Sequence, residues 1–299
     1  MTETPEIPER TRARIAALRI WRGDLRIAPL LGGISNESWR VTDDAGDHVV
    51  RFGQDFPFHH VIREREVMTA RAAESAGFAP AVEHAGPGVM VSRFLGARTY
   101  GEADVRGNLA RVADLVRRFH RVMPRHVSGP AFLFWPFHVV RDYARTLQKG
   151  ESRMVPRLAG WLDLADELEA AQVPLPIVFG HNDLLPANLL DDGERLWLID
   201  FEYAGYSTAM FDLAGLSSNA GFTSEQSDEL LALYFDRAPD RELRRSLAAM
   251  QCASLLREAM WSMVSELHLS APGTDYPAYT QQNLDRLGRA LEDYRTEHG

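Results

Sequence analysis

Residues 178–206 read VFGHNDLLPANLLDDGERLWLIDFEYAGY, and the organisation of the whole chain follows from this stretch. An apolar run enters it and ends at Gly180. Two more apolar runs, at 188–190 and 196–199, flank the Asp-Asp-Gly sequence at 191–193, which is typical of a hairpin turn. The stretch therefore predicts three short strands, of which the last two form a hairpin.

Three polar side chains, Asp183, Asn188 and Asp200, stand where these strands end. The interval from Asp183 to Asn188 is that of a kinase catalytic loop, in which the Asp orients a substrate hydroxyl and the Asn holds magnesium. Asp200 and Phe201 occupy the place of the metal-binding Asp-Phe pair, one hairpin later. One carboxylate and one amide suffice for Mg²⁺ because it keeps several waters and also takes phosphate oxygens. A chance set of loop aspartates is the alternative, but the ordered spacing favours a phosphoryl-transfer site with Asp183 as the catalytic residue.

The segments HNDLLPANLL (181–190) and LIDFEYAGY (198–206) resemble the choline/ethanolamine kinases, a branch of the aminoglycoside phosphotransferase and protein-kinase-like superfamily. The resemblance implies a two-lobed, protein-kinase-like α+β fold. A small antiparallel sheet would form the nucleotide-binding lobe, residues 1–94, and the mainly helical lobe, residues 95–299, would carry catalysis and the acceptor. Asn182 and Glu202 stand where a protein kinase usually has Arg and Gly, which weakens the protein-kinase interpretation.

Composition excludes several other classes of protein. The chain has 299 residues, of which 45% are hydrophobic and 25% charged, as in ordinary soluble domains. A net charge of −9 without a basic run argues against binding to nucleic acid. The only cysteine, Cys252, excludes an internal disulfide and fits a reducing compartment. No apolar run approaches the ~20 residues of a spanning helix, and the first thirty residues lack a signal-peptide core, so we expect a cytoplasmic protein without membrane insertion.

The pattern before residue 95 predicts one small sheet with two helices. The predicted elements are a charged amphipathic helix at 5–22, strands at 27–31, 37–41 and 48–52, a helix at 61–76, and strands at 81–83 and 89–92. Pro29 restricts the first of these strands to a sheet edge.

Between the first two strands, Gly-Gly-x-Ser-Asn resembles the nucleotide-covering loop of the choline-kinase-like enzymes. Two glycines allow the backbone to approach phosphate closely. The resemblance thus implies nucleotide contacts for Gly32, Gly33, Ser35 and Asn36.

Kinases place a cation on the third strand to hold phosphate, and Arg51 occupies that position here. The resemblance implies that Glu66 of the following helix pairs with Arg51, with Glu64 as the alternative. Ser92 and Phe94, at the start of a segment that resembles the hinge between lobes, complete the expected nucleotide-binding residues.

The second half of the chain reads as mainly helical. Helices are predicted at 102–122, 138–149 and 155–171, from 211 onward, and at 230–235 and 242–269. His120 is interpreted as structural. Asp212 could cap a helix or brace the catalytic loop, and capping is the preferred interpretation.

Residues 257–264, REAMWSMV, resemble the choline-binding helix of the choline kinases. Trp261 falls on one of the two aromatic positions of that helix and Glu258 on the other, while Tyr276 and Tyr279 resemble the family's two spaced tyrosines. Aromatic faces attract a trimethylammonium group through cation–π contact, and Glu258 would attract an amine by charge. Core packing is the alternative for each aromatic residue.

The resemblance implies a small-molecule kinase that uses ATP and Mg²⁺ to phosphorylate the hydroxyl of a small amino alcohol, choline first and ethanolamine second. Its partner would be a small-molecule alcohol, and a homodimer stays open. Another alcohol, such as an aminoglycoside, thiamine or a sugar, is the alternative within this class. A non-catalytic kinase-like binding protein is the alternative outside it, against which intact Asp183, Asn188 and Asp200 argue.

Overall fold

The structure, a computed structural model, describes residues 7–30, 37–130, 132–269 and 274–298. The strands, β1 to β10 in chain order, are Arg26–Pro29, Glu37–Asp43, Gly46–Phe52, Val82–Gly86, Val89–Arg93, Arg98–Thr99, Ile177–Gly180, Leu189–Asp191, Leu196–Leu198 and Gly205–Thr208. The helices, α1 to α10, are Glu9–Ala16, Arg63–Ser75, Glu102–Gly107, Leu109–Val122, Pro136–Lys149, Leu158–Ala170, Ala209–Ala220, Ser224–Phe235, Arg241–His268 and Tyr276–His298.

The first five strands form one antiparallel sheet in the order β1-β2-β3-β5-β4. Pro29 lies on the edge strand β1, as predicted. Proline has no backbone N–H to donate, so it is tolerated where a strand has a neighbour on one side only. One face of the sheet covers a small core made by Ile15, Trp39, Val41, Val50, Phe52 and Val91. Since side chains alternate along a strand, Arg51 projects from the opposite face, between the core residues Val50 and Phe52.

The rest of the chain is mainly helical and is built around α9. This helix has 28 residues and is buried around most of its circumference, as its apolar sequence predicted. It packs against α5, α7 and α10. None of the helices in the described part of the chain combines the length and apolar character that a membrane span needs.

Two small sheets carry most of residues 178–206. The predicted hairpin is confirmed: β8 pairs with β9 in antiparallel register, and β6 adds to its outer edge. The third strand of the stretch, β7, pairs with β10, which follows Asp200. The ends of β7 and β9 are thereby brought together. The lobe boundary at residue 94 stays a prediction.

Several helices differ from the predictions: the one expected at 5–22 spans Glu9–Ala16, and the one expected at 230–235 begins at Ser224. The helix expected at 102–122 is broken at Asn108, which leaves helical geometry (φ −127°, ψ 32°) while its side-chain amide donates to the Asp104 carbonyl at 2.8 Å. The helix α10 was missed, since Tyr276 and Tyr279 were assigned only as spaced aromatics. Its buried residues Leu284 and Leu287 have helical spacing, a signal that was available in the sequence.

A buried carboxylate holds the segment between β7 and the hairpin. The Asp212 side chain, 1% exposed, accepts from the backbone N–H of His181 and of Asn182, both at 2.7 Å, and pairs with His120 Nε2 at 2.7 Å. His120 also contacts the Tyr234 hydroxyl at 2.7 Å, in keeping with its predicted structural role. The preferred interpretation of Asp212 as a helix cap is therefore wrong: α7 begins three residues earlier, and Asp212 braces the loop.

Removing the charge of Asp212 should destabilise the protein. We expect Asp212→Asn to lower the free energy of unfolding at pH 7 by about 3–5 kcal/mol, the usual cost of breaking a buried pair. Burial acts to raise the pKa of Asp212, but hydrogen bonding and the charge of His120 lower it below the ordinary value. Its stabilising contribution is therefore present above about pH 4 and is lost as the pH falls through the folded-state pKa.

Denaturant unfolding at pH 7 and in strong acid measures this effect, with the exposed Asp163→Asn on α6 as the matched control. Asp212→Asn should be less stable than wild type at pH 7 and approach it in acid. Equal stability of both variants at pH 7 would contradict the brace.

Candidate active site

Asp183 and Asp200 line one cavity of about 290 Å³ between the loop after β7 and the end of β9. Asn188 belongs to the same constellation, because its side-chain amide nitrogen donates to the Asp183 carbonyl at 2.9 Å. That contact does not use the amide oxygen, the atom that a metal ion would need. The structure thus brings together the three polar residues that the spacing singled out.

Backbone geometry fixes the two aspartates. Asn182 and Asp200 both adopt left-handed conformations (φ 61° and 67°), which are unfavourable for residues other than glycine and are concentrated at functional sites. The Asn182 amide donates to the Tyr203 carbonyl at 3.0 Å and the Gly205 carbonyl at 3.3 Å. The loop that carries Asp183 is therefore tied to the segment that follows Asp200.

Electrostatics at Asp183 are those of a partly desolvated carboxylate. Burial, followed by the charge of Asp200, raises the pKa of Asp183 well above its ordinary value, and Arg257 opposes that rise. A cation bound to Asp200 would remove the second of these effects and favour the ionised form.

The donor set fits magnesium. The described residues contain no group of three or more His, Cys, Asp or Glu side chains arranged to hold a metal ion. A metal at Asn188 and Asp200 would accordingly have to complete its shell with water and phosphate oxygens, which Mg²⁺ does readily. The site residues are compatible with that ion when a nucleotide is present.

Arg51 is shared among three carboxylates. Its guanidinium lies 2.8 Å from Glu66 Oε1, 2.7 Å from Asp200 Oδ1 and 3.4 Å from Glu202 Oε2. The partner on α2 is Glu66, which is 3% exposed, whereas Glu64 is exposed to solvent. Arg51 thus connects the sheet to Asp200.

The other expected nucleotide-binding residues are less clearly placed. Gly32, Gly33, Ser35 and Asn36 lie outside the described residues. Ser92 pairs with Val49 in the sheet, and the Phe94 backbone N–H donates to Asp47 at 2.9 Å. A second cavity of about 630 Å³ is lined by Arg51, the start of α2 and the β4–β5 turn, and its described lining includes neither Ser92 nor Phe94.

The expected acceptor residues lie at the first cavity, with one exception. Glu258, Trp261 and Tyr279 line it together with Asp183. Tyr276 is buried, is not among the described residues that line the cavity, and packs edge-on against Trp261 with ring centres 6.2 Å apart. Tyr276 therefore packs behind Trp261, and its predicted contact with the acceptor stays a prediction.

Arg257 was missed, although it stands within the quoted motif. It is 4% exposed, lines the cavity, and pairs with Glu258 Oε2 at 2.8 Å, while the Tyr279 hydroxyl donates to Glu258 Oε1 at 2.9 Å. That Glu258 attracts an amine by charge stays a prediction; in the structure its carboxylate already balances Arg257 and accepts from the Tyr279 hydroxyl. An arginine within the mainly apolar part of α9, residues 246–265, was the available signal.

Comparison with known proteins agrees with this geometry. The model of the phosphotransferase enzyme family matches residues 26–249. The chain is 27% identical over 215 residues to the probable ethanolamine kinase of Arabidopsis thaliana, covering 66% of this chain and 57% of that protein. It therefore spans little more than half the length of that curated relative.

Solved structures extend the similarity over the whole fold. A choline/ethanolamine kinase family protein from Mesorhizobium loti matches with a TM-score of 0.76 and 29% identity, over 95% of this chain and 94% of that one. Choline kinase LicA from Streptococcus pneumoniae matches with a TM-score of 0.77 and 19% identity, over 95% and 98% of the two chains, which shows the fold alone. These matches confirm the predicted kinase-like fold and the resemblance to small-molecule kinases, and the chain belongs to the phosphotransferase enzyme family.

Proposed function

We propose that this protein transfers the γ-phosphoryl group of Mg-ATP to the hydroxyl of a small amino alcohol, with choline or ethanolamine as the acceptor. The observation that carries the proposal is that Asp183, Asp200, Trp261 and Tyr279 line a single cavity. Phosphoryl transfer needs a hydroxyl-orienting carboxylate beside a metal-holding one, and the two aromatic faces beside them suit a cationic acceptor.

The nucleotide would lie between the sheet and the hairpin. Asn188 and Asp200 would hold magnesium, whose chemistry is to neutralise charge on the phosphates. Arg51, positioned by Glu66, would balance further phosphate charge. The loop with Gly32, Gly33, Ser35 and Asn36 would cover the phosphates, and the adenine would lie near Ser92 and Phe94.

Asp183 would accept or orient the proton of the acceptor hydroxyl. The Asp212 brace holds the loop that presents it, so positioning costs little at the moment of reaction.

The acceptor amine would be recognised mainly by aromatic faces. Trp261 is oriented by donating its Nε1–H to the Tyr203 hydroxyl at 3.0 Å, and its ring centre lies 6.3 Å from that of Tyr279. Since Arg257 neutralises Glu258, a quaternary amine depends less on that carboxylate than on these rings.

One observation favours a second candidate, an acceptor richer in oxygen. Arg257 and Arg286 both line the cavity, and Arg257 Nε and Nη2 make no hydrogen bond of standard geometry with the described residues. An acceptor oxygen could satisfy such groups. Measurement of ATP consumption with choline, ethanolamine, thiamine, an aminoglycoside and a sugar separates these acceptors, and a lack of turnover with all of them would favour a non-catalytic binding protein.

The proposal also covers compartment and partners. The single cysteine, Cys252, is buried, as expected of a residue that fills the core in a reducing compartment such as the cytoplasm. The partner is a small-molecule alcohol rather than nucleic acid.

Asp183→Asn should lower kcat by roughly 10²- to 10⁴-fold, the usual value of a positioned acid–base group. Affinity for Mg-ATP should stay nearly unchanged, because the nucleotide is held by other residues. Steady-state kinetics and calorimetry measure the two effects. Near-normal turnover of the variant would refute the role of Asp183.

Asp200→Ala should weaken Mg-ATP binding by at least about tenfold. Loss of a residue that merely hydrogen-bonds to a metal ligand already costs about that much affinity, and loss of the ligand itself should cost no less. Glu194→Ala, an exposed change in the turn of the same hairpin, is the control and should bind as wild type does. Titration calorimetry with Mg-ATP is the measurement. Unchanged affinity in the Asp200 variant would remove it from the metal site.

Trp261→Ala should reduce kcat/KM for choline more than for ethanolamine, by roughly 2- to 30-fold in the ratio, because a trimethylammonium gains most from aromatic faces. The half-buried Trp197→Ala on β9 is the matched control. The two acceptors are compared on wild type and both variants. A ratio that is the same in all three proteins would contradict recognition of the amine by Trp261.

A further inference from the structure

Arg51 and three other partly or fully buried side chains form a closed ring of alternating charge. Arg51 lies 2.8 Å from Glu66, Glu66 2.6 Å from Arg63, Arg63 3.0 Å from Glu202, and Glu202 3.4 Å from Arg51. The four side chains are 14%, 4%, 13% and 8% exposed, in the order Arg51, Glu66, Arg63, Glu202. We call this group the arginine–glutamate ring.

The ring joins two parts of the fold. Arg51 comes from β3, Arg63 and Glu66 come from the first turn of α2, and Glu202 comes from the segment after β9. Asp200 attaches to the ring from the same segment, through its contact with Arg51 at 2.7 Å. The contacts to Asp200 and Glu202 therefore join Arg51 to the segment that carries the proposed metal ligand.

The arginine–glutamate ring and Asp200 together carry an unbalanced charge. Two arginines supply two positive charges, while Glu66, Glu202 and Asp200 supply three negative ones, which leaves one negative charge. Without Asp200 the ring is neutral. Because the ring is neutral by itself, Asp200 can leave Arg51 for a metal ion and no charge in the ring is left unpaired. An unpaired buried charge would be strongly destabilising.

Arg63 supplies the second cation that makes this release possible. A single atom, Nη1, contacts both Glu66 and Glu202, while Nε donates to the Gln54 carbonyl at 2.9 Å and fixes the side chain to its own lobe. Arg63 lines the second cavity beside Arg51, but it is not among the described residues that line the cavity with Asp183. Its effect on the reaction would consequently be indirect.

We propose that Arg63 is a positioning residue for magnesium nucleotide. Its contact with Glu202 keeps the sheet and the hairpin segment in place when Asp200 exchanges Arg51 for the metal. This inference rests on the proposed function. It adds a residue outside the sequence motifs, and it assigns to Glu202 a role between the two parts of the fold.

The test compares nucleotide affinity with and without metal. Arg63→Met should raise the Kd for Mg-ATP by about tenfold or more, the value of one charge-assisted hydrogen bond. The Kd for ATP in excess EDTA should change by less than about threefold, because the Arg51–Asp200 contact then still joins the two parts. Arg63→Lys should restore most of the affinity, since one nitrogen makes both contacts. Arg153→Met, which removes an exposed arginine paired with Glu266 at 3.0 Å, is the control.

Thermal unfolding of each variant without nucleotide verifies that it is folded. An Arg63→Met protein that binds Mg-ATP like wild type would overturn the inference. An Arg63→Met protein that loses affinity equally for Mg-ATP and for metal-free ATP would also overturn it. That result would mean that Arg63 has a general structural role or contacts phosphate directly. A wild-type protein that binds no magnesium nucleotide would instead overturn the proposed function, and this inference with it.

Discussion

The site depends first on the buried carboxylate of Asp212. Two consecutive backbone N–H groups, at His181 and Asn182, donate to its two oxygens, and His120 completes the pair. An unpaired N–H group in such a place would cost about 1–3 kcal/mol, so the loop has little freedom to leave this arrangement. As a result, Asp183 is held at the cavity, and α7, which carries no predicted chemistry, determines where the reaction would occur.

Around this brace, charge is distributed unevenly between two parts of the cleft. Near the sheet, Arg51 and Arg63 balance Glu66 and Glu202, and the proposed function assigns the remaining carboxylate, Asp200, to a metal ion. Near α9, Arg257 balances Glu258, and the proposed function assigns the aromatic faces beside them to the acceptor. In both parts, ion pairs within the protein neutralise charged side chains that would otherwise be expected to bind the ligand.

Features that depend on residues close together in the chain could be predicted from the sequence. The hairpin at 188–199, the position of Pro29 on an edge strand and the convergence of Asp183, Asn188 and Asp200 all follow from residues close together in the chain. The two-residue strand β6 was too short to give a pattern.

Pairings between distant elements could not be predicted in the same way. Asp212 with His120, and Arg63 with Glu202, join residues 92 and 139 positions apart. A lone arginine or aspartate in a helix is usually solvated, so its sequence context gave no reason to expect burial. Glu258 shows in addition that the charge a residue presents to a cavity depends on its neighbours, since Arg257 pairs with it at 2.8 Å. The most direct test of the account is phosphorus NMR of the wild-type protein with Mg-ATP and either choline or ethanolamine. Phosphoryl transfer predicts ADP together with a new phosphomonoester signal that requires the amine and disappears with EDTA. ATP that stays intact with both amines, at concentrations where Mg-ATP is bound, would contradict it.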